Sequence, residues 1–123
     1  MDADRRALGA EGEARAARFL AARGYRVVDR NVRAGGVELD LVATRGRLVV
    51  FVEVKTRRSR AAGAPEEAVD FRKRERLVRG ALAWLAAHGR PGQHARFDVI
   101  ACEWSAEGRW CVRHWEGAFE AGE

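Results

Sequence analysis

The sequence predicts an α/β protein in which two helices pack on a mixed sheet of five strands. Two segments carry apolar side chains at helical spacing, and five shorter segments alternate or run apolar between Gly-rich turns. Their order is a helix, three strands, a helix and two strands, so the connection from the third to the fourth strand is a crossover. A right-handed crossover leaves these two strands parallel if they are neighbours. A chain of 123 residues supports one core, and we expect one domain over 1–123.

The first half of the chain predicts a helix followed by a three-stranded meander. Arg5 to Ala22 place small or apolar side chains along one stripe, which Gly24 ends. Strands are expected over 25–29, 37–42 and 48–55. Turns at 34–36 and at Arg45-Gly46 join them.

The second half predicts the crossover helix and a terminal hairpin. Thr56 to Ala64 has no periodicity and indicates a loop, after which Pro65 opens the second helix, where its missing N–H costs nothing. Gly89 and Pro91 end that helix. Strands are expected over 97–104 and 109–115, around a loop at 105–108.

Carboxylates are predicted to collect on one face of the third strand. Both faces of this strand are apolar until its end, which indicates a central strand with Phe51, Glu53 and Lys55 on one face. If Arg45-Gly46 is a two-residue hairpin turn, Asp40 faces Phe51 and lies diagonal to Glu53, which Glu38 faces. Three neighbouring carboxylates raise one another's pKa or require a cation, and oxygen ligands suit Mg²⁺ or Mn²⁺. The alternative is a wet edge where Glu38 and Glu53 pair with arginines and Lys55 is a salt-bridge partner.

The position of Lys55 favours a catalytic role for this lysine. Only two of the 23 basic residues are lysines, Lys55 and Lys73, and Lys55 follows Glu53 at the end of the apolar strand. Arginine is a fixed cation, whereas the pKa of a lysine moves readily with its surroundings, which suits contact with a reacting water.

The excess positive charge lies just beyond Lys55. Residues 55–79 hold nine basic and four acidic side chains, which accounts for the whole formal charge of +5. This patch predicts a polyanionic partner, with a solvated, ion-paired helix face as the alternative. The expected phosphate contacts are Arg57, Arg58, Arg60, Arg72, Lys73, Arg74 and Arg76.

Two charged residues lie on helix faces that usually bury apolar side chains. Glu13 points towards the sheet from the first helix, and Lys73 lies on the apolar line of the second. The alternative is that both side chains extend along the rim with their charges in solvent. Gly9 and Gly12 each cost the first helix about 1 kcal/mol relative to alanine. They indicate either a frayed start or a close backbone approach.

Several of these residues form motifs that resemble a known family. The motifs are Gly9-x-x-Gly12-Glu13-x-x-Ala16, Arg30-Asn31, Glu38-Leu-Asp40-Leu, Phe51-Val-Glu-Val-Lys-Thr-Arg57, Val69-x-x-x-Lys73 and Phe97-Asp-Val99. To about Cys102 the chain resembles the YraN-like family of uncharacterised bacterial proteins. That family is similar to archaeal Holliday-junction resolvases and to restriction-endonuclease-like PD-(D/E)XK nucleases.

The resemblance implies a fold and a site. The implied core is restriction-endonuclease-like: a helix, a three-strand meander, a helix and further strands in a mixed sheet. Asp40 and Glu53 would be metal ligands and Lys55 would orient or activate the water. Glu13 would be the accessory acid, and Lys73 would occupy the family's second-helix lysine. The chain departs from the pattern at Leu39, which replaces a proline, and at Val37, which separates Gly36 from Glu38.

We therefore expect an endonuclease, a Mg²⁺- or Mn²⁺-dependent phosphodiesterase that is directed by DNA structure. Asp40, Glu53 and the carbonyl of Val54 would hold the ion. The alternatives are a DNA-binding module without turnover and an adaptor in a DNA-processing complex. No organic cofactor is expected, since the chain has no cofactor fingerprint. The longest aliphatic and aromatic run, 48–52, is far below the ~20 residues that span a bilayer, so we expect a cytoplasmic protein without membrane contact.

The terminal hairpin carries most of the remaining aromatic residues. Three of the four tryptophans lie there, and we expect them to form a packing or dimer surface more than a base-stacking platform. A four-residue loop would place Cys102 opposite Cys111, both reduced in the cytoplasm.

Overall fold

A computed structural model of the protein describes residues 2–58 and 71–120. The elements are α1 (Asp2–Ala22), β1 (Arg26–Ala34), β2 (Val37–Arg45), β3 (Leu48–Arg58), α2 (Phe71–His88), β4 (His94–Trp104) and β5 (Trp110–Phe119). The predicted α/β class and the predicted order of elements are confirmed. Over the described ranges, neither helix has both the length and the apolar character that a membrane span requires.

The five strands form one mixed sheet in the order β1-β2-β3-β4-β5. β3 is central and runs parallel to β4, as the crossover predicts, while the other neighbours are antiparallel. Alternation along β3 separates two cores. Val49 and Phe51 pack towards α2, whereas Val50 and Val52 pack towards α1. The α2 face is therefore the one on which Glu53 should emerge.

Several elements are longer than the sequence predicts. The segment from Thr56 to Arg58 was expected to be a loop, yet it continues β3 and pairs with 102–104 of β4. A parallel partner supplies the hydrogen bonds that local composition does not indicate. α1 already begins at Asp2, and β5 continues to Phe119. The expected helix start at Pro65 lies outside the described residues.

The predicted register between β2 and β3 is wrong by two residues on one strand. Arg45 pairs with Leu48, and Val42, not Asp40, pairs with Phe51. The turn residues are Gly46 and Arg47, because Gly46 takes the positive φ of 60° that the first position of the turn requires. The paired stretch ends at Leu41 and Val52, directly before Asp40 on β2 and Glu53 on β3.

The predicted pairing of the two cysteines is also wrong. Trp104 pairs with Trp110, so Cys102 lies opposite Val112. The loop is one residue longer than expected because the Oγ of Ser105 accepts the amide N–H of Arg109 at 3.0 Å, which replaces a backbone bond at this position. Cys102 is buried and Cys111 is exposed.

The tryptophans differ in their surroundings. Trp84 is buried in the core and packs edge-on to Phe51. Trp104 and Trp110 contact each other, with ring centroids 5.4 Å apart, and Trp115 packs against the α2-side core. The packing contacts are present, and the dimer surface stays a prediction.

Candidate functional site

Asp40 lies where β2 changes its alternation. Leu39 packs into the core on the α2 side and Leu41 into the core on the α1 side, so the regular two-residue period is broken between them. On the neighbouring strand Asn31 sits between the residues paired with Leu39 and Leu41, and it has a positive φ of 48°. The amide N–H of Val54 donates to Oδ2 of Asp40 at 2.9 Å, which ties the carboxylate to β3 beside Glu53.

The two predicted metal ligands meet in a cavity of about 160 Å³ between the sheet and α2. Its lining residues are Val37, Glu38, Asp40, Glu53, Lys73, Arg76 and Leu77. The structure thus brings together three acids from the meander and two cations from the second helix. The bond from the Val54 amide N–H to Asp40 places this carboxylate next to the β3 position that follows Glu53.

Asp40 is the electrostatically unusual member of this cluster. Its pKa is raised to about 7, first by burial and next by the negative charge of Glu53. The hydrogen bond from Val54 acts in the opposite direction, and Glu13 and Glu38 add smaller increases. Glu13, Glu38 and Glu53 thus all lie close enough to Asp40 for their charges to raise its pKa. Lys73 and Arg76 line the same cavity, and a bound cation would place a further positive charge beside the ionised form of Asp40.

Lys55 stands at the end of β3 with its charge beside the cluster. Its Nζ lies 3.4 Å from Oε1 of Glu53, and the two side chains are only 21% and 19% exposed. This ion pair is the contact that the wet-edge alternative predicts. It also places the ammonium group beside Glu53, which the resemblance assigns as a metal ligand. The geometry of this ion pair fits both the wet-edge alternative and the site that the resemblance implies.

A close contact between α1 and β3 positions Glu13. A Cβ at Gly12 would lie 2.6 Å from Cγ2 of Thr56, so only glycine permits this approach. The thiol of Cys102 donates to the Gly12 carbonyl oxygen at 3.3 Å and fixes the helix on β4 as well. The predicted close approach is confirmed at Gly12 but not at Gly9, where a Cβ would meet nothing.

The donor set fits a hard divalent cation. Across 2–58 and 71–120, no three histidine, cysteine or acidic side chains form a complete metal site. Mg²⁺ does not require one, because proteins commonly bind it through one or two carboxylates while water and substrate phosphates complete the octahedron. Asp40 and Glu53 supply that kind of incomplete, oxygen-only site, and the raised pKa of Asp40 is the expected property of a carboxylate that awaits a cation.

The expected DNA-binding residues do not form one patch. Lys73 and Arg76 line the acidic cavity, and Arg72 is exposed near them at the start of α2. Arg74 turns away and lies over the ring of Phe119, 5.4 Å from its centroid. Arg60 lies outside the described residues.

The two arginines at the end of β3 also have other surroundings. Arg57 donates from Nε to Glu103 at 2.9 Å, and Glu103 also accepts from Arg113. Arg58 is exposed and lines a groove with Trp104 and Trp110 beside α1. Neither side chain is therefore part of the wall that faces Asp40.

The sequence reasoning missed a second buried aspartate, Asp98. It is fully buried and accepts two bonds of 2.8 Å from Arg96, one from His114 at 2.7 Å and one from the Gly117 amide at 2.9 Å. Burial alone would raise the pKa of Asp98, but these partners lower it below its ordinary value. The interruption of an apolar strand by an acid was the available signal. This cluster joins β5 to β4 and does not reach the acidic cavity.

Comparison with known proteins places the chain in a family. The model of the uncharacterised protein family UPF0102 matches residues 12–102, which include every acid of the cavity and Lys55. A UPF0102 protein of Myxococcus xanthus is 48% identical over 120 residues, covering 98% of this chain and 94% of the relative. A UPF0102 protein of Anaeromyxobacter dehalogenans is 47% identical over 116 residues, covering 94% of this chain and 86% of the relative. The chain therefore belongs to the uncharacterised protein family UPF0102, which is the YraN-like family that its motifs resemble.

Proposed function

We propose that the protein is a metal-dependent nuclease that hydrolyses phosphodiester bonds in DNA. The observation that supports this most directly is the convergence of Asp40 and Glu53 on one cavity that Lys73 and Arg76 also line. Acids that are buried beside one another seldom serve stability, because their mutual repulsion destabilises the ionised forms. Cations on the opposite wall suit a phosphate group that enters between helix and sheet.

Each side chain has a role in this proposal. Asp40 and Glu53, with the Val54 carbonyl, would hold Mg²⁺ or Mn²⁺. Such an ion neutralises charge on the phosphate and lowers the pKa of a bound water. Lys55 would orient the attacking water or stabilise the phosphate, and Glu13 would act as the accessory acid from α1.

DNA selection would rest on shape. Lys73, Arg76 and the exposed Arg72 contact phosphates in this proposal, and phosphate contacts give affinity without reading sequence. We therefore propose branched or processed DNA as the substrate class. The cytoplasm remains the expected compartment, and the homodimer remains a prediction of the hairpin tryptophans.

One observation favours a second candidate, a DNA-binding module without turnover. The ion pair between Lys55 and Glu53 satisfies both charges without a metal. A protein that retained the fold and lost the reaction would keep such a pair as a stabilising contact. The two candidates differ in whether the acids bind a divalent ion and whether Lys55 affects the rate of cleavage.

Calorimetry with Mn²⁺ tests the metal site. Asp40→Asn and Glu53→Gln should each weaken Mn²⁺ binding at least about tenfold, because each removes a charged ligand. Glu107→Gln, which removes an exposed acid in the terminal hairpin loop, should bind Mn²⁺ like the wild type. Equal affinity in all four proteins would contradict the assignment of Asp40 and Glu53.

The same preparations test turnover on labelled branched DNA. Lys55→Ala should abolish cleavage in Mn²⁺ and leave DNA affinity nearly unchanged, and Lys55→Arg should fail to restore cleavage because the bulkier fork misplaces the charge. If the wild type binds branched, flapped, nicked and single-stranded DNA but cleaves none of them in Mg²⁺ or Mn²⁺, the module without turnover is the correct candidate.

A further inference from the structure

A second polar cavity lies at the opposite end of α2 and has no part in the proposed reaction. It measures about 530 Å³, within the range of cavities that hold small ligands or parts of larger ones. The lining residues that matter here are Arg26, Thr44, Trp84, His88, Arg90 and Gln93. They come from β1, β2, α2 and the segment before β4, so only the fold brings them together.

Two arginines supply the positive charge on this wall. Arg26 and Arg90 are exposed, and no carboxylate in the described part of the chain lies within ion-pair distance of either guanidinium. The one acid on the wall, Asp29, accepts a hydrogen bond of 2.7 Å from Nε1 of Trp84. The acid thus positions an aromatic ring while both arginines remain available to an anion.

The other groups on the wall are mainly donors. Gln93 accepts the Arg90 amide N–H through Oε1 at 2.8 Å, which leaves the NH₂ group of Gln93 for a ligand. Thr44 adds a hydroxyl group. The centroids of the His88 and Trp84 rings are 5.0 Å apart. The imidazole therefore packs against a tryptophan whose position the core fixes. A cavity with two cations and several donors suits a phosphate group.

We propose that this cavity is a second phosphate-binding site, and that its ligand is the backbone of a nucleic acid. The neighbouring segments favour a polyanion over one isolated phosphate. Residues 43–48 and 86–96, which flank the cavity, contain no acid, and the exposed Arg47 in the β2–β3 turn extends the positive surface. A surface with cations beyond the cavity itself gains most from a ligand with several phosphates.

The length of α2 sets the spacing between the two sites. Arg76 lines the acidic cavity and His88 lines the second one, and twelve helical residues at about 1.5 Å each separate them by about 18 Å. At about 3.4 Å per nucleotide this distance corresponds to about five nucleotide steps. One strand could therefore contact both ends of α2. The inference concerns binding alone and does not depend on whether the acidic cavity performs cleavage.

Fluorescence anisotropy with labelled single-stranded and duplex DNA tests the proposal, with EDTA present so that cleavage plays no part. Arg26→Gln combined with Arg90→Gln should weaken binding at least about tenfold at low salt. It should also flatten the salt dependence by up to about two units, because each lost phosphate contact removes about 0.7 to 0.9 from the slope. The wild type should prefer a 12-mer to a 4-mer, and the double variant should lose most of that preference.

Two further proteins separate the site from general charge effects. Arg18→Gln with Arg109→Gln removes the same charge from the outer side of α1 and from the terminal hairpin, and should bind DNA within about twofold of the wild type. Arg26→Lys with Arg90→Lys keeps both charges and should retain the salt slope. If the glutamine double variant behaves like the charge-matched control, the second site does not exist.

Calorimetry tests whether the phosphate group that binds here belongs to a nucleic acid or to a small phosphorylated ligand. Pyrophosphate and ATP should bind the wild type much more weakly than the 12-mer. If the glutamine double variant loses ATP or pyrophosphate binding while its DNA affinity and salt slope stay unchanged, the cavity serves a small phosphorylated ligand and the nucleic-acid assignment is overturned. EDTA removes divalent metal from all of these measurements, so failure of the proposed nuclease would not affect the result.

Discussion

Two aspartates show how neighbours decide the role of the same side chain. Asp40 and Asp98 are both withdrawn from water, yet the pKa of Asp40 is raised to about 7 while that of Asp98 is lowered. Asp40 has carboxylates around it and accepts one hydrogen bond from a backbone N–H. Asp98 instead accepts hydrogen bonds from Arg96, His114 and a backbone N–H. The partners of Asp98 satisfy it within the fold, which indicates a structural role. The carboxylates around Asp40 disfavour its negative charge, so an external cation would stabilise the ionised form.

The two glycines of α1 give a matched test at this scale. Gly12→Ala should destabilise the protein by about 1–3 kcal/mol, because the new methyl group would overlap the Thr56 side chain. Gly9→Ala should stabilise it by up to about 1 kcal/mol, because alanine favours the helix and a Cβ there meets nothing. Urea unfolding measures both changes in free energy.

Adding Thr56→Ser to Gly12→Ala should recover part of the lost stability, since it removes one of the overlapping atoms. If both alanine variants are equally stable, the helix does not approach β3 as closely as described. Glu13 would then lose the contact that positions it near Asp40.

At the scale of elements, the hydrophobic pattern carried most of the prediction. The run from Leu48 to Val52 correctly identified a central strand with two buried faces, and the crossover rule correctly predicted a parallel neighbour. Registers were missed because single residues decide them. Gly46 shifts the β2–β3 turn through its φ, and the Ser105 hydroxyl lengthens the terminal loop. Neither effect leaves a periodic signal in the sequence.

The corrected β4–β5 register changes the expected chemistry of the two thiols. Cys102 is buried against α1, and burial raises its pKa to about 11, whereas Cys111 is exposed. A thiol reagent at pH 8 should therefore modify one cysteine quickly and the other only when the protein unfolds, because the thiolate is the reactive form. A reagent that releases a coloured thiolate on reaction allows the fast and the slow modification to be followed by absorbance.

Cys111→Ser should lose the fast phase, and Cys102→Ser should keep it. Two fast thiols in the wild type, or a disulfide between Cys102 and Cys111 after mild oxidation, would show that these residues lie side by side as the four-residue loop would have placed them.

For the whole molecule, the position of a charge along the chain does not by itself show where that charge lies in space. The sequence placed the basic excess in one patch at 55–79, but Arg57 is bonded to Glu103 and Arg74 lies over Phe119. Arg26 and Arg90, which are 64 positions apart, meet at one cavity instead. The acidic cluster was more predictable, because a register error of two residues leaves the side chains of the paired strands on their predicted faces.

The acidic cluster also predicts how the stability of the metal-free protein depends on pH. The pKa of Asp40 is about 7 in the folded protein and 3.8 in its ordinary state, so between these values the folded protein holds a proton that the unfolded chain has released. Stability therefore falls as pH rises from about 4 to 7, by up to about 4 kcal/mol from this group. The effect of Asp98 on stability has the opposite dependence on pH, because its pKa is lowered in the folded protein. The stability that Asp98 contributes is lost only at lower pH, as its carboxylate becomes protonated.

Urea unfolding in EDTA at intervals from pH 4 to 8 should show this fall in the wild type and in Glu107→Gln, which changes an exposed acid. Asp40→Asn has no proton to lose, so its curve should be flatter and the variant should be more stable than the wild type at pH 8. Adding Mn²⁺ at pH 8 should restore stability to the wild type by mass action and do much less for Asp40→Asn. Parallel pH curves for all three proteins would mean that Asp40 is already satisfied by its own neighbours, and the cluster would then offer no place for a cation.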